Sequence, residues 1–595
     1  MKLYLVQDYK HIELEDKDSV VIALTPQACY ELDKDKTRYS IVEDYCNVAQ
    51  LIVEEEDKYY TQQCKWIDKL DEFLCRAVKQ LGEYNLKLGA AYYYFLKEAI
   101  DPVYIRCRVL HTLLEFLKPS EIIFVCSPQQ DDLNNELRDA RSYYSKIIPL
   151  MCRELNIPLG IIYVQAIEPK VIRRNTKQWL SGFGVVSNTY AKANYFRSYL
   201  CKQAFLKQPC AKKLNILVLR RGYGLDTNFI AEAVKHEHTI VCQRPTTELA
   251  QQSWNNDDRQ IWENAFNLLP NNDLIQDINK LCELDVSSIL LPLFQHFITK
   301  VCPELLAYSK AYTLFYQEQS IDLVISPFAH SIPERAALAM ARNMGITTVG
   351  VCHGDDVCQG GFWRRLELKN DILITSNVET KEDFKSLALP LGLRTKIYSS
   401  PQRFTNMDKI RHARRKHTSQ NLVVFLPTFM SWDWCRVGPF FFSDTEYYRF
   451  LKDIAGHLAT RKEHFIWKCL PQSESIHNPM PEFIKESEFD NIKVIATPHV
   501  EHLHVVDRVV CDFPSTGFYE SVIAKVPTIS VYPKFFSVRA SAQALFRQLL
   551  KPFSTTTEAI SHIDEFLDND SPELYVVDIV RDEQSILNII EEEVP

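Results

Sequence analysis

The sequence predicts an α/β protein built from two doubly wound domains, each a parallel sheet covered by helices. Three observations predict it. Short β-branched runs alternate with longer helical stretches over most of the chain. Several runs, among them SVVIALT, EIIFVCS and NLVVFLPT, are apolar at nearly every position, the pattern of central parallel strands buried on both faces. The chain has 595 residues, more than one hydrophobic core organises, so at least two domains are required.

Taken in order, LYLVQ and SVVIALT open the first sheet. Residues 55–118 are helical in pattern and rich in aromatics (AAYYYFLKEAI), which reads as a helical insertion. EIIFVCS and LGIIYVQ continue the strands, and a seam falls at 175–213. LNILVLR and DLVIS follow, then a helix opened by Pro333 and Glu334, the residues a helix start favours. TTVGVCHG and DILITSN complete this part. The charged, strandless stretch at 400–420 marks the main boundary, giving an N-terminal domain over 1–405. NLVVFLPT, HFIWKCLP, IKVIATP, RVVCDFP and TISVYP build a C-terminal domain over 420–570, and 571–595 form a terminal helical segment.

Composition narrows the function classes. The net charge of -9 argues against wholesale binding of nucleic acid. The cluster Arg411, Arg414, Arg415 and Lys416 has two readings: a solvated linker helix, the commoner outcome, or a patch facing anionic lipid or a phosphorylated acceptor. The 17 cysteines form no CxxC pair and no zinc spacing, and Cys126, Cys242 and Cys511 sit inside apolar runs as small hydrophobes in a reducing compartment. No bound metal is expected. The N-terminus lacks a signal-peptide pattern and no run reaches 18 uninterrupted apolar residues, so the expected location is cytoplasmic, with peripheral attachment to a membrane left open.

Five places carry chemistry. In VVCDFPSTGFYESVIAKVP a strand ends, turns, and enters a helix at the carboxyl edge of a sheet, where ligands of open α/β sheets bind. Backbone N–H groups and the positive helix end there suit phosphate, with Ser515 and Thr516 adding hydroxyls. Glu520, one turn on, is placed to accept a ribose diol; the plainer alternative is an N-cap followed by an exposed Glu. Lys468 ends another strand and offers a point charge to a phosphate, or merely caps the strand. Thr428 begins an aromatic loop holding Trp432 and Trp434, which stacks on a ligand or packs on the neighbouring domain. In the N-terminal half His353-Gly354 closes a strand, with Asp355 beside it; a lone His is more often structural, but a Gly neighbour lets ligand reach the backbone. Arg403, at the domain junction, reaches an anion from either side.

Together DLVIS, PERAA, GITTVGVCHG, DILITSN, SPQRF, VVFLPT, FIWKCLP and VVCDFPSTGFYESVIAKVPTISV resemble bacterial surface-polysaccharide glycosyltransferases of GT-B architecture, two Rossmann-like domains facing a cleft. The set is similar to capsule and lipopolysaccharide enzymes that include 3-deoxy-manno-octulosonic acid (Kdo) transferases, and CDP-glycerol glycerophosphotransferases share the C-terminal pieces. The resemblance covers about residues 320–535 and, weakly, the first 50. It implies a nucleotide-sugar donor, with Ser515 and Thr516 on its phosphate and Glu520 on its ribose, and a glycan or lipid-linked glycan acceptor. Where such proteins carry a His-Pro pair, this chain reads Leu470-Pro471, with Lys468 or His499 available to substitute.

The chemistry then needs a base for the acceptor hydroxyl, or a carboxylate facing the sugar cation. Strand-end candidates are Glu43, Asp44, Asp131, Asp132, Asp226 and Asp355; Asp226 is favoured because Arg220, Arg221 and two glycines surround it. Polyol-phosphate transfer, sugar-nucleotide epimerisation and non-catalytic glycan binding are the rival readings.

Overall fold

The computed structural model describes residues 1–9, 19–128, 141–165, 213–220, 225, 227–241, 245, 256–271, 273–327, 331–352, 369–375, 377–388, 393–400, 410, 421–428, 430, 443–469, 478–536, 538–577 and 584–594. They form three parallel sheets. The first holds β1 (Lys2–Val6), β2 (Val20–Ala23), β3 (Ser40–Ile41), β4 (Glu121–Cys126) and β5 (Leu159–Tyr163) in the order β3-β2-β1-β4-β5. The second holds β6 (Asn215–Val218), β7 (Thr239–Val241), β8 (Leu323–Ser326), β9 (Thr347–Val351), β10 (Ile372–Thr375) and β11 (Lys396–Ser399) in the order β11-β10-β9-β8-β6-β7. The third holds β12 (Leu422–Leu426), β13 (His464–Lys468), β14 (Ile492–Ile495), β15 (Arg508–Cys511), β16 (Thr528–Pro533) and β17 (Leu550–Phe553) in the order β14-β13-β12-β15-β16-β17.

The class is thus the doubly wound, Rossmann-like α/β architecture read from the apolar runs. The sequence reading groups residues 1–405 into one domain with an insertion and a seam; the described residues place two sheets there. The seam at 175–213 lies almost wholly outside the described residues, between β5 and β6. The first and third sheets share one strand order and reverse it at the same place, between β1 and β4 and between β12 and β15. Such a reversal opens a crevice at the carboxyl edge.

The helical insertion is α2 (Val48–Ala77) and α3 (Tyr93–Leu117), following α1 (Pro26–Lys34). With α4 (Arg141–Glu154), α5 (Cys302–Gln319) and α6 (Ile332–Asn343) it makes a layer between the first two sheets. Leu3, Leu5, Ile122 and Phe124 of the first sheet and Leu217 and Val324 of the second share that core. Within the helical stretch Ser287–Gln319 an 18-residue window reaches a mean hydropathy of 1.2, so the stretch is long and apolar enough to cross a membrane by length and composition. In the fold it is a core element: Leu290, Phe297, Cys302 and Leu305 are fully enclosed.

The first sheet's other face joins the core of the third unit through α1 and α8 (Asp444–Leu458), numbering α7 as Val378–Ala388 on the second sheet. Polar contacts close this seam. Lys452 Nζ donates to Asp33 at 2.7 Å, Tyr30 to Glu486 at 2.6 Å, and Arg449 grips both oxygens of Asp44 at 2.7 and 3.0 Å. The terminal helix α10 (Ile586–Glu593), beyond α9 (Thr516–Ile523), returns to the outer face of the second sheet. Its Ile586, Leu587, Ile589 and Ile590 pack on Ile216, Val218, Ile325 and Val349.

Candidate functional site

The third sheet supplies the best-formed site. β12, β13 and β15 are apolar on both faces and end together at the carboxyl edge, because their registers run in parallel: Leu426 pairs Cys511 and Phe425 pairs Trp467. After β15 the chain turns through Asp512–Pro514 into α9. Ser515 is the N-cap in extended conformation (φ -93°, ψ -163°), and its hydroxyl makes no capping hydrogen bond. The first N–H groups of the helix have no partner within it, so this end presents donors and a partial positive charge.

Gly517 is required here by close approach. A Cβ at 517 would come within 3.1 Å of Leu426 Cδ1 and 3.5 Å of His499 Cε1. The His499 ring therefore lies directly over the first turn of α9. It opens the short 3-10 turn after β14, is buried, and its Nε2 stands 3.2 Å from a Glu520 carboxylate oxygen without the alignment of a hydrogen bond. Burial, reinforced by the nearby Lys468 charge, pulls the His499 pKa down to about 4, so the imidazole is neutral at pH 7. Lys468, the last residue of β13, thus shares this electrostatic neighbourhood with His499, Gly517 and Glu520.

Thr428 is held by a buried acid. Asp512 accepts from the Thr428 N–H at 2.8 Å and from the Tyr447 hydroxyl, which also donates to Thr428 O at 3.0 Å. Burial pushes the Asp512 pKa up to about 7, against hydrogen bonds that pull it down. This link ties the end of β12 to the end of β15, the two strands that flank the crevice. The first sheet repeats the device at its own reversal: Asp8, after β1, accepts from Ser127 N at 2.9 Å and Ser127 Oγ at 2.8 Å, after β4.

The structure therefore brings Lys468, Ser515, Thr516 and Glu520 to one edge, with Thr428 braced beside them. Asp226, His353, Asp355 and Arg403 lie outside the described residues, as do Asp131, Asp132, Trp432, Trp434, Leu470 and the 411–416 basic cluster. Two candidate bases are committed elsewhere: Glu43 accepts from Thr445 Oγ1 at 2.9 Å and Asp44 pairs with Arg449, both at the seam with α8. Asp512 and Tyr447 were not legible as site residues. For Asp512 the signal was an acid closing an apolar strand; for Tyr447 there was none.

Among the described residues, one cluster has metal-ligand composition: His236, His238 and Glu591. Its hydrogen bonds assign it another role. His238 Nδ1 accepts from the Leu214 N–H at 3.1 Å, so Nε2 carries the ring proton and donates to Glu591 at 2.8 Å. A metal would need the lone pair that this proton occupies. His236 Nδ1 donates to the same oxygen at 2.8 Å, and the trio clamps α10 to the second sheet.

No family model and no curated protein matches the chain. Among solved structures it is similar to a UDP-GlcNAc 2-epimerase from Methanocaldococcus jannaschii in complex with UDP-GlcNAc and UDP (11% identity, 60% of this chain, 94% of that one, TM-score 0.36). It is similar to a UDP-GlcNAc 2-epimerase from Neisseria meningitidis bound to UDP-GlcNAc (11%, 61% and 93%, 0.33) and to MurG of Acinetobacter baumannii (11%, 49% and 78%, 0.29).

Proposed function

We propose that the chain is a glycosyltransferase that moves a sugar from a nucleotide donor to a glycan or lipid-linked glycan acceptor, with the donor held on the third sheet. The observation that carries this reading is the convergence of the α9 N-terminus, Lys468, His499 and Glu520 at the carboxyl edge beside the β12/β15 crevice. The helix end and Lys468 meet the phosphate charge that develops as the sugar leaves. Neutral His499 adds an N–H donor without a second charge, and a phosphate oxygen at the first turn would give its Nε2 an aligned partner. Glu520 accepts the ribose hydroxyls. No metal is assigned a part. The acceptor base comes from Asp226, His353 or Asp355, and Arg403 steadies an anion; in the sequence they follow the strands β6, β9 and β11. The resemblance favours a CMP-linked acidic sugar such as Kdo, used in surface-polysaccharide synthesis at the inner face of a membrane.

The test is incubation of the purified chain with CMP-, UDP- and GDP-sugars and CDP-glycerol, with and without glycan acceptors, following nucleotide release and product mass. Acceptor-dependent sugar transfer is expected. Donor turnover without acceptor would make it an epimerase, and transfer from CDP-glycerol a polyol-phosphate transferase. Absence of nucleotide binding would leave a glycan-binding protein. Glu520→Ala and Lys468→Ala should each weaken nucleotide binding about tenfold, roughly the loss of one charge-assisted hydrogen bond.

A further inference from the structure

A second site lies at the opposite edge of a different sheet. The amino ends of β9, β10 and β11 form the floor of a cavity of about 770 Å³, roofed by residues 85–91 of the helical insertion and flanked by the end of α6. Its described lining contains five cations, Lys87, Arg342, Lys369, Arg394 and Lys396, against two carboxylates, Asp371 and Glu593. That balance runs against a chain whose net charge is -9.

Both carboxylates are already engaged. Asp371 accepts from Thr348 N and Oγ1, each at 2.8 Å, and Glu593 pairs with Lys396 at 2.6 Å and accepts from Tyr398. Lys396 is thereby offset by Glu593, Asp371 keeps its charge and attracts Arg342, and Lys369 donates to Ala90 O at 3.5 Å with Asp71 near it; the described lining still holds three more cations than carboxylates. Arg342 is fixed by donating to Lys369 O at 2.9 Å, which seats it beside that lysine. The walls desolvate the Lys369 ammonium although the side chain opens on the cavity, and repulsion from Arg335 and Arg342 adds to the effect; its pKa falls to about 8. An excess of like charge around one cavity raises the energy of its cations and favours a multiply charged anion. A lone carboxylate offsets one charge; a phosphate or diphosphate offsets two or three and matches the arginine fork.

We propose that this cavity, between the helical insertion and the amino edge of the second sheet, binds a phosphate-bearing ligand separate from the nucleotide on the third sheet. The proposal does not rest on the donor reading, since it uses none of the α9 residues.

Isothermal titration of the full chain with inorganic pyrophosphate tests it, using Lys87→Glu with Arg394→Glu, two exposed positions whose exchange leaves the core intact. Binding to wild type, weakened at least about tenfold in the double variant and retained in Lys468→Ala, is the expected result. Unaltered affinity in the double variant, loss of binding in Lys468→Ala alone, or no binding to wild type would overturn it. Co-sedimentation with phosphatidylglycerol vesicles separates the sources. Vesicle binding lost in the double variant identifies a lipid phosphate; pyrophosphate binding without vesicle binding identifies a soluble phosphorylated ligand. Circular dichroism of the double variant confirms that it is folded.

Discussion

His499, after β14, and Asp512, after β15, are both buried, and burial moves their proton affinities in ways that oppose each other in stability. The His499 pKa drops from 6.5 to about 4, so between those values the unfolded chain takes up a proton that the folded chain refuses. Stability is lost through this group as pH falls from 6.5 towards 4. The Asp512 pKa rises from 3.8 to about 7, so there the folded chain keeps a proton the unfolded chain has released. Stability is lost through this group as pH rises across that range. His499→Gln removes only the first effect. The melting temperature of wild type relative to His499→Gln should therefore fall as the pH is lowered from 7 to 5; a constant difference would contradict the buried neutral imidazole. Asp512→Ala leaves the Thr428 N–H without its acceptor and the Tyr447 hydroxyl with Thr428 O alone, and should cost about 1–3 kcal/mol in chemical denaturation, with Asp512→Asn costing much less. The strand-to-helix turn was legible at this scale because Ser-Thr-Gly after an apolar run has few other uses. The clasp behind it was not, because Tyr447 reaches Asp512 from 65 residues away and local pattern carries no trace of that contact.

Elements were read well where both faces of a strand are covered. All thirteen apolar runs are strands. Among the described residues, the four strands that sequence did not show, β3, β7, β11 and β17, are each the outermost strand of a sheet, with two to four residues reading SI, TIV, KIYS and LKPF. An outermost strand has a neighbour on one side only, so weaker β pattern suffices and even Pro552 is accommodated. The terminal helical segment was visible as a helix, but its seat on the second sheet was not. That seat depends on Glu591 accepting from His236 and His238. Glu591→Ala should cost about 1–3 kcal/mol, since the His238 ring is fully enclosed and its donor would be left unsatisfied. Nitrogen-15 spectra of the histidines should show His238 with its proton on Nε2; a proton on Nδ1 would reopen the metal reading.

At the scale of the molecule, the third unit touches both of the others. The seam with the first sheet is broad and carries the Asp33, Asp44 and Glu486 contacts. The link to the second sheet runs through Arg539, which is buried, donates to Glu379 O on α7, and lies 3.5 Å from the hydroxyl of Tyr519 on α9. Arg539 thus joins the proposed donor helix to the sheet whose carboxyl edge is proposed to receive the acceptor. Arg539→Ala should lower turnover more than nucleotide affinity, which a comparison of kcat with nucleotide Kd would show; equal losses in both would mean that the arginine only supports α9.

The return of α10 also sets an order of events during synthesis. The last strand of the second sheet, β11, is complete about 190 residues before Ile586 is made. Until then the face formed by Ile216, Val218, Ile325 and Val349 is covered in part, by Phe229 and Ile230 of the helix Thr227–Lys235, while the third unit can already be folding beyond it. On a ribosome, the middle of this protein is therefore finished after its end, and the part of that face left for α10 is where a chaperone would be expected to hold the nascent chain.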